Sequence, residues 1–197
     1  MKEKVIKSAL LISILTIFGK IIGFLRTIVI AYLFGADSTM DAYNLANGFV
    51  LNVLYALSTA IALAFLPHYI EKKVNRGEKE AADFSSKVLS VMTVVALVIS
   101  VVVLFGAPVL AKVTAPGYKG EQLQQVALYL RILSLGMVFS LLARLLKSIL
   151  DAEQIYGYGA FSGIIYSVTT IVFAIAFHAS WGVMSLLIAI PVAYFLQ

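Results

Sequence analysis

The stretch Ser8-Ala-Leu-Leu-Ile-Ser-Ile-Leu-Thr-Ile-Phe-Gly19-Lys20-Ile-Ile-Gly23-Phe-Leu-Arg26-Thr-Ile-Val-Ile-Ala-Tyr-Leu-Phe34 decides the fold class. A helix needs ~20 mostly apolar residues to cross ~30 Å of hydrocarbon, and this run exceeds that. Only Lys20 and Arg26 interrupt it. A cleaved signal peptide is the competing reading of an apolar N-terminal run. The two internal cations, and the lack of a small-x-small cleavage site, favour an uncleaved first helix.

Moving outward, five more apolar runs follow. The expected spans are about 8–34, 42–70, 84–112, 123–150, 158–178 and 181–197, separated by short polar breaks. The first four exceed one bilayer crossing, so they are expected to tilt or to project past the surface. The short breaks predict that consecutive helices are antiparallel neighbours. Composition agrees: of 197 residues, 61% are hydrophobic and 13% charged. A soluble domain of this size could not hide that much apolar surface. The expected fold is an all-α integral membrane protein, a bundle of about six transmembrane helices.

The net charge is +5. Lys2, Lys4, Lys7, Lys72, Lys73, Arg76, Lys79, Lys87, Arg144 and Lys147 fall on one side of the membrane. Lys112 and Lys119 fall on the other. The positive-inside rule places the N-terminus and the 71–83 connection in the cytoplasm. The same bias accounts for the basic pI without nucleic acid. Trp181, at the expected start of the sixth helix, reads as an outer interfacial anchor. Cysteine is absent, which excludes disulfides and thiolate metal sites. There is no Walker A loop, no nucleophile-base arrangement and no His-Glu-x-x-His. His68 and His178 stand apart, without metal-ligand spacing. No enzyme, cofactor or metal is expected.

Charges in mid-membrane cost ~2.5–3.5 kcal/mol each on insertion scales and therefore need a reason. Lys20 and Arg26 are read as facing a water-filled cavity or an anionic ligand, with a structural ion pair as the alternative. Six helical residues set them about 120° apart. Gly19 and Gly23 are candidates for a helix break that would let both reach one cavity; as a small-xxx-small pair they would instead serve close packing. Asn44 and Asn47 share a helix face, Asn52 lies close to it, and Asp41 just precedes them. These are read as substrate contacts, or else as interhelical hydrogen bonds with Asp41 as an N-cap. Arg131 reads as snorkelling, and Arg144 and Lys147 as topology signals. A membrane site of basic and amide groups suits an anionic, hydroxyl-rich substrate such as a phosphate or sugar.

Several motifs in order carry a family resemblance. Gly19-Lys-Ile-Ile-Gly23-Phe-Leu-Arg26, then Phe34-Gly35-Ala36 and Met40-Asp-Ala-Tyr43, resemble the first helix and loop of the MurJ/MviN family. Ala64-Phe-Leu-Pro67 and Val113-Thr-Ala-Pro-Gly-Tyr118 are similar to later elements of it. That family flips lipid II, the lipid-linked peptidoglycan precursor, within the multidrug/oligosaccharidyl-lipid/polysaccharide exporter superfamily. The resemblance implies one six-helix lobe of a two-lobe exporter with a cationic central cavity and alternating access. It implies a bacterial cytoplasmic membrane, and a lipid-linked sugar diphosphate as substrate. It places Lys20 and Arg26 at family basic positions and Asp41 in the Asp-Ala-aromatic element. Two features depart from the pattern. Thr27 stands where the family often has an acid, and Leu51-Asn-Val-Leu-Tyr-Ala56 carries no charge. The final run stops at Gln197 without a basic flank, so the chain reads as the first part of something longer, or as a truncated piece. Its partner would be a second lobe or, failing that, a second copy. An ion-coupled multidrug exporter and a non-transporting membrane scaffold are the rival readings.

Overall fold

The computed structural model describes residues 2–155 and 157–197, with the side chains of 2–9, 11, 12 and 160 outside the description. The topology residues Lys2, Lys4 and Lys7 are among those undescribed side chains. Six helices account for nearly everything else: α1 Lys2–Phe34, α2 Ser38–Arg76, α3 Glu78–Thr114, α4 Glu121–Ala152, α5 Gly157–Trp181 and α6 Met184–Leu196. No strand occurs among the described residues. By length and composition α1 to α5 can each cross a membrane, whereas α6 is a shorter apolar helix.

The helix ends follow local chemistry. Asp37, not Asp41, caps α2: its Oδ1 accepts the Met40 N–H at 2.8 Å. The helix therefore starts at Ser38, earlier than the apolar pattern suggests, because a cap rather than hydropathy sets the boundary. Trp181 closes α5 instead of opening α6, and its ring stacks on Phe177 with centroids 4.5 Å apart. At the other end of α2, only Gly77 separates two helices of 39 and 37 residues. Its φ of 90° is open to glycine and strained for other residues. At 1.5 Å per residue these helices run to roughly 55–60 Å, so their charged ends stand clear of a ~30 Å core.

α4 is the axis of the bundle. Its most apolar window is 56% buried, against 0% for that of α1. α2, α3 and α6 pack on it, and α1 leans on α5. Fully buried alanines at 46, 96, 107 and 111 bring the α2 and α3 backbones close to α4. Ser100 on α3 donates to the Ser134 carbonyl of α4 at 2.6 Å. The expectation that consecutive helices are neighbours fails twice: α1 makes no substantial contact with α2, and α4 only a slight one with α5. A connection as short as 35–37 fixes where one end of a helix lies, not which helix it lies along.

A polar tie closes the highly charged end. Lys73 of α2 donates to both carboxylate oxygens of Glu153, at 2.7 and 2.5 Å, and Tyr69 donates to the same group. These hydrogen bonds, the one from Lys73 first, hold the Glu153 carboxyl below its usual range. A depressed carboxylate stabilises the fold above its unfolded pKa. That contribution is lost as pH falls through the lower, folded value. Glu153→Gln is therefore expected to lower the melting temperature at neutral pH. It should also flatten the acid limb of a melting-temperature profile from about pH 6 to about pH 3, relative to the parent. Superimposable profiles would show that the tie contributes nothing.

Candidate functional site

Where α1 leaves α2 and follows α5, a cavity of about 450 Å3 opens between them. Five helices line it. α1 contributes Arg26 and Thr27, and α2 contributes Tyr43, Asn44 and Asn47. Arg144 and Lys147 enter from α4, Ser162, Tyr166 and Thr170 from α5, and Tyr194 from α6. Three cations line this space and no carboxylate does. Three side-chain amides, those of Asn44, Asn47 and Gln197, and several hydroxyls complete the polar surface.

Arg26 has a built seat. Its guanidinium lies 4.9 Å from the centroid of the Tyr166 ring. Tyr166 in turn packs on Tyr194, with centroids 5.2 Å apart. Tyr43 and Tyr194 are almost fully buried, so the aromatic floor is fixed by the core beneath it. An arginine over an aromatic face keeps its planar donors free for another partner. Lys147 is held differently. Its Nζ donates to Asp151 Oδ2 at 2.8 Å, one turn along α4. Gly159 makes room for it, since a Cβ there would come within 2.6 Å of Lys147 Cε. Arg144 Nε reaches Ser140 Oγ at 3.4 Å. The arrangement concentrates positive charge in a recess bounded by apolar helices, where an anion would be attracted more strongly than in water.

The family model described as "Lipid II flippase MurJ" matches residues 30–197. The chain belongs to the lipid II flippase MurJ family. Two relatives, each named "Probable lipid II flippase MurJ", illustrate the distance. The one from Rickettsia prowazekii is 32% identical over 87% of this chain and 34% of its own length. The one from Borreliella burgdorferi is 27% identical over 99% of this chain and 38% of its own length. A solved structure of a lipid II flippase MurJ, in an inward closed conformation, superposes with a TM-score of 0.81 at 24% identity. It covers 95% of this chain and 40% of that one. The fold is thus that of the family, a multi-pass helical membrane protein. The chain spans less than two fifths of the length of the curated relatives it matches.

Of the residues singled out from the sequence, Arg26, Asn44 and Asn47 line the cavity. Lys20, Asp41 and Asn52 do not line it and are exposed. The helix break expected at Gly19 and Gly23 is absent, because α1 runs unbroken through both. Without it, the angle between Lys20 and Arg26 keeps them on different faces. Gly23 lies toward α5, where an added Cβ would meet Ser167 Oγ at 3.9 Å, ordinary contact distance. Arg144 and Lys147, read as topology signals, turn out to share the cavity with Arg26. Their signal in the sequence was helical spacing: three residues apart, they lie on one face of α4. The tyrosines were not anticipated.

Proposed function

We propose that this chain forms one lobe of a flippase. The protein carries the lipid-linked peptidoglycan precursor, or a related polyprenyl-diphosphate oligosaccharide, from the cytoplasmic to the outer leaflet. The observation that carries the reading is the three-cation, carboxylate-free lining of a cavity set among membrane-crossing helices. Arg26, Arg144 and Lys147 would hold the diphosphate, and Asn44 and Asn47 would contact the polar head. Family membership supplies the substrate class.

The basic end of the α2–α3 hairpin, with Lys72, Lys73, Arg76 and Lys79, is assigned to the cytoplasm, together with the N-terminus, in a bacterial cytoplasmic membrane. Lys20 is exposed on α1 at a depth where facing lipid costs ~2.5–3.5 kcal/mol. A second lobe packed against that face would remove the cost and close the substrate path, so that rocking of the lobes alternates access. An ion-coupled drug exporter is less well supported, because Asp41, the carboxylate the sequence offered for it, is exposed outside the cavity, and Asp151 is paired with Lys147.

The test is replacement. The complete protein, produced in a bacterium depleted of its own lipid II flippase, is expected to restore growth. It should also restore delivery of lipid II to a probe at the outer surface. Accumulation of lipid II inside, with the protein present in the membrane at normal level, would overturn the proposal.

A further inference from the structure

A second recess, of about 650 Å3, lies between the end of α3 and the start of α4 and shares no residue with the first cavity. α3 supplies Pro108 and Lys112, and α4 supplies Glu121, Gln124, Gln125 and Arg131. Its depth follows from helix geometry. Lys112 is two residues from the end of α3, and Arg131 is ten residues into α4 from Glu121. At 1.5 Å per residue Arg131 sits roughly 15 Å below the start of its helix. The two cations thus straddle the zone between head groups and upper acyl chains, in the leaflet opposite the Lys72, Lys73 and Arg76 end.

A lone arginine at this depth needs only to snorkel to the surface. Two cations in one recess are a different situation. Among the described residues, ion pairs join His68 to Glu71, Lys73 to Glu153 and Lys147 to Asp151, so neither Lys112 nor Arg131 is paired with Glu121. Two positive charges and one carboxylate leave the recess with a net charge that matches one phosphodiester. Gln125 donates its amide N–H to Tyr129 at 3.0 Å, which leaves its carbonyl oxygen as an acceptor. The wall below is apolar and uncovered. Phe105 is 77% exposed one stripe below Lys112, and Leu135 is 57% exposed one turn below Arg131.

We propose that this recess binds an anionic phospholipid of that leaflet, the outer one under the orientation above. Its phosphodiester sits between Lys112 and Arg131, its head-group hydroxyls meet the Gln124 and Gln125 amides, and its acyl chains lie along Phe105 and Leu135. The exposed apolar wall suits acyl chains and the net positive recess suits a phosphodiester, so charge selects the head group. The inference does not depend on what the first cavity carries.

The test uses the complete protein extracted from vesicles of equal phosphatidylglycerol and phosphatidylethanolamine, with retained lipid counted by native mass spectrometry. The parent is expected to retain phosphatidylglycerol in preference. Lys112→Gln and Arg131→Gln should each lower its retention about fivefold, the equivalent of roughly 1 kcal/mol per basic residue at a membrane surface. Glu121→Gln should raise retention. Lys112→Arg and Arg131→Lys should hold it near the parent level, which separates lost charge from misfolding. Equal retention of the two lipids by the parent, or parental retention by the double glutamine variant, would overturn the proposal. So would displacement of the lipid by inorganic phosphate alone, which would make the site one for a free anion.

Discussion

Arg26→Ala in the complete protein is expected to weaken binding of a polyprenyl-diphosphate lipid by about 10- to 100-fold, the equivalent of one lost hydrogen bond to a charged group. Flipping should fall below what supports growth. The loss should exceed that from Lys147→Ala, because Lys147 already spends part of its charge on Asp151, whereas Arg26 is seated only by an aromatic face. Arg26→Lys should recover little. A lysine keeps the charge but loses the planar fork and the stacking on Tyr166. Tyr166→Phe, which preserves the ring, should stay near the parent. Binding measured on purified protein, with membrane level checked by immunoblot, decides the matter. An Arg26→Ala protein that binds and flips as the parent does would remove this residue from the site.

The same residues show what a sequence can disclose about such a site. Arg26 was legible because a charge inside an apolar span has no inexpensive explanation. Asn44 and Asn47 were legible because their spacing puts two amides on one face. Lys20 carried the same signal as Arg26 but does not line the cavity, because helical phase, not charge, decides which side a residue takes. Arg144 and Lys147 were hidden by a valid rule: basic residues near a cytoplasmic helix end need no further reason. Nothing in that rule says whether they also turn inward. Tyr43, Tyr166 and Tyr194 were invisible for a related reason. A tyrosine in a membrane helix is ordinary, and only the packing of three helices makes these a floor for Arg26. Helix number and approximate limits follow from hydropathy alone. The pairing of α1 with α5 does not, since it depends on complementary surfaces far apart in sequence.

That dependence on packing leads to the second large effect, at Gly136. This glycine of α4 is fully enclosed against α6, where an added Cβ would lie 3.0 Å from the Pro191 Cα and 3.2 to 3.3 Å from its ring carbons. Neither the backbone nor a proline ring can rotate away. Gly136→Ala is expected to cost about 1–3 kcal/mol, the usual range for an overfilled core. Gly136→Leu should push α6 off α4 and lower the melting temperature in detergent by considerably more. The displacement would reach the site as well. Tyr194 lies three residues beyond Pro191 on α6, its ring supports Tyr166, and Tyr166 supports Arg26. Gly136→Ala should therefore reduce substrate binding even where the protein remains folded, although Gly136 does not line the cavity. Gly48→Ala in α2 is the contrast, because beyond the adjoining backbone of its own helix nothing lies within 4 Å of its added Cβ. That change should be neutral or slightly stabilising, since alanine favours a helix by about 1 kcal/mol over glycine. Equal stability and equal binding for the Gly136 and Gly48 alanine variants would mean that the α4–α6 contact positions nothing. A loss confined to Gly136 would tie the packing of the central helix to the seat of Arg26.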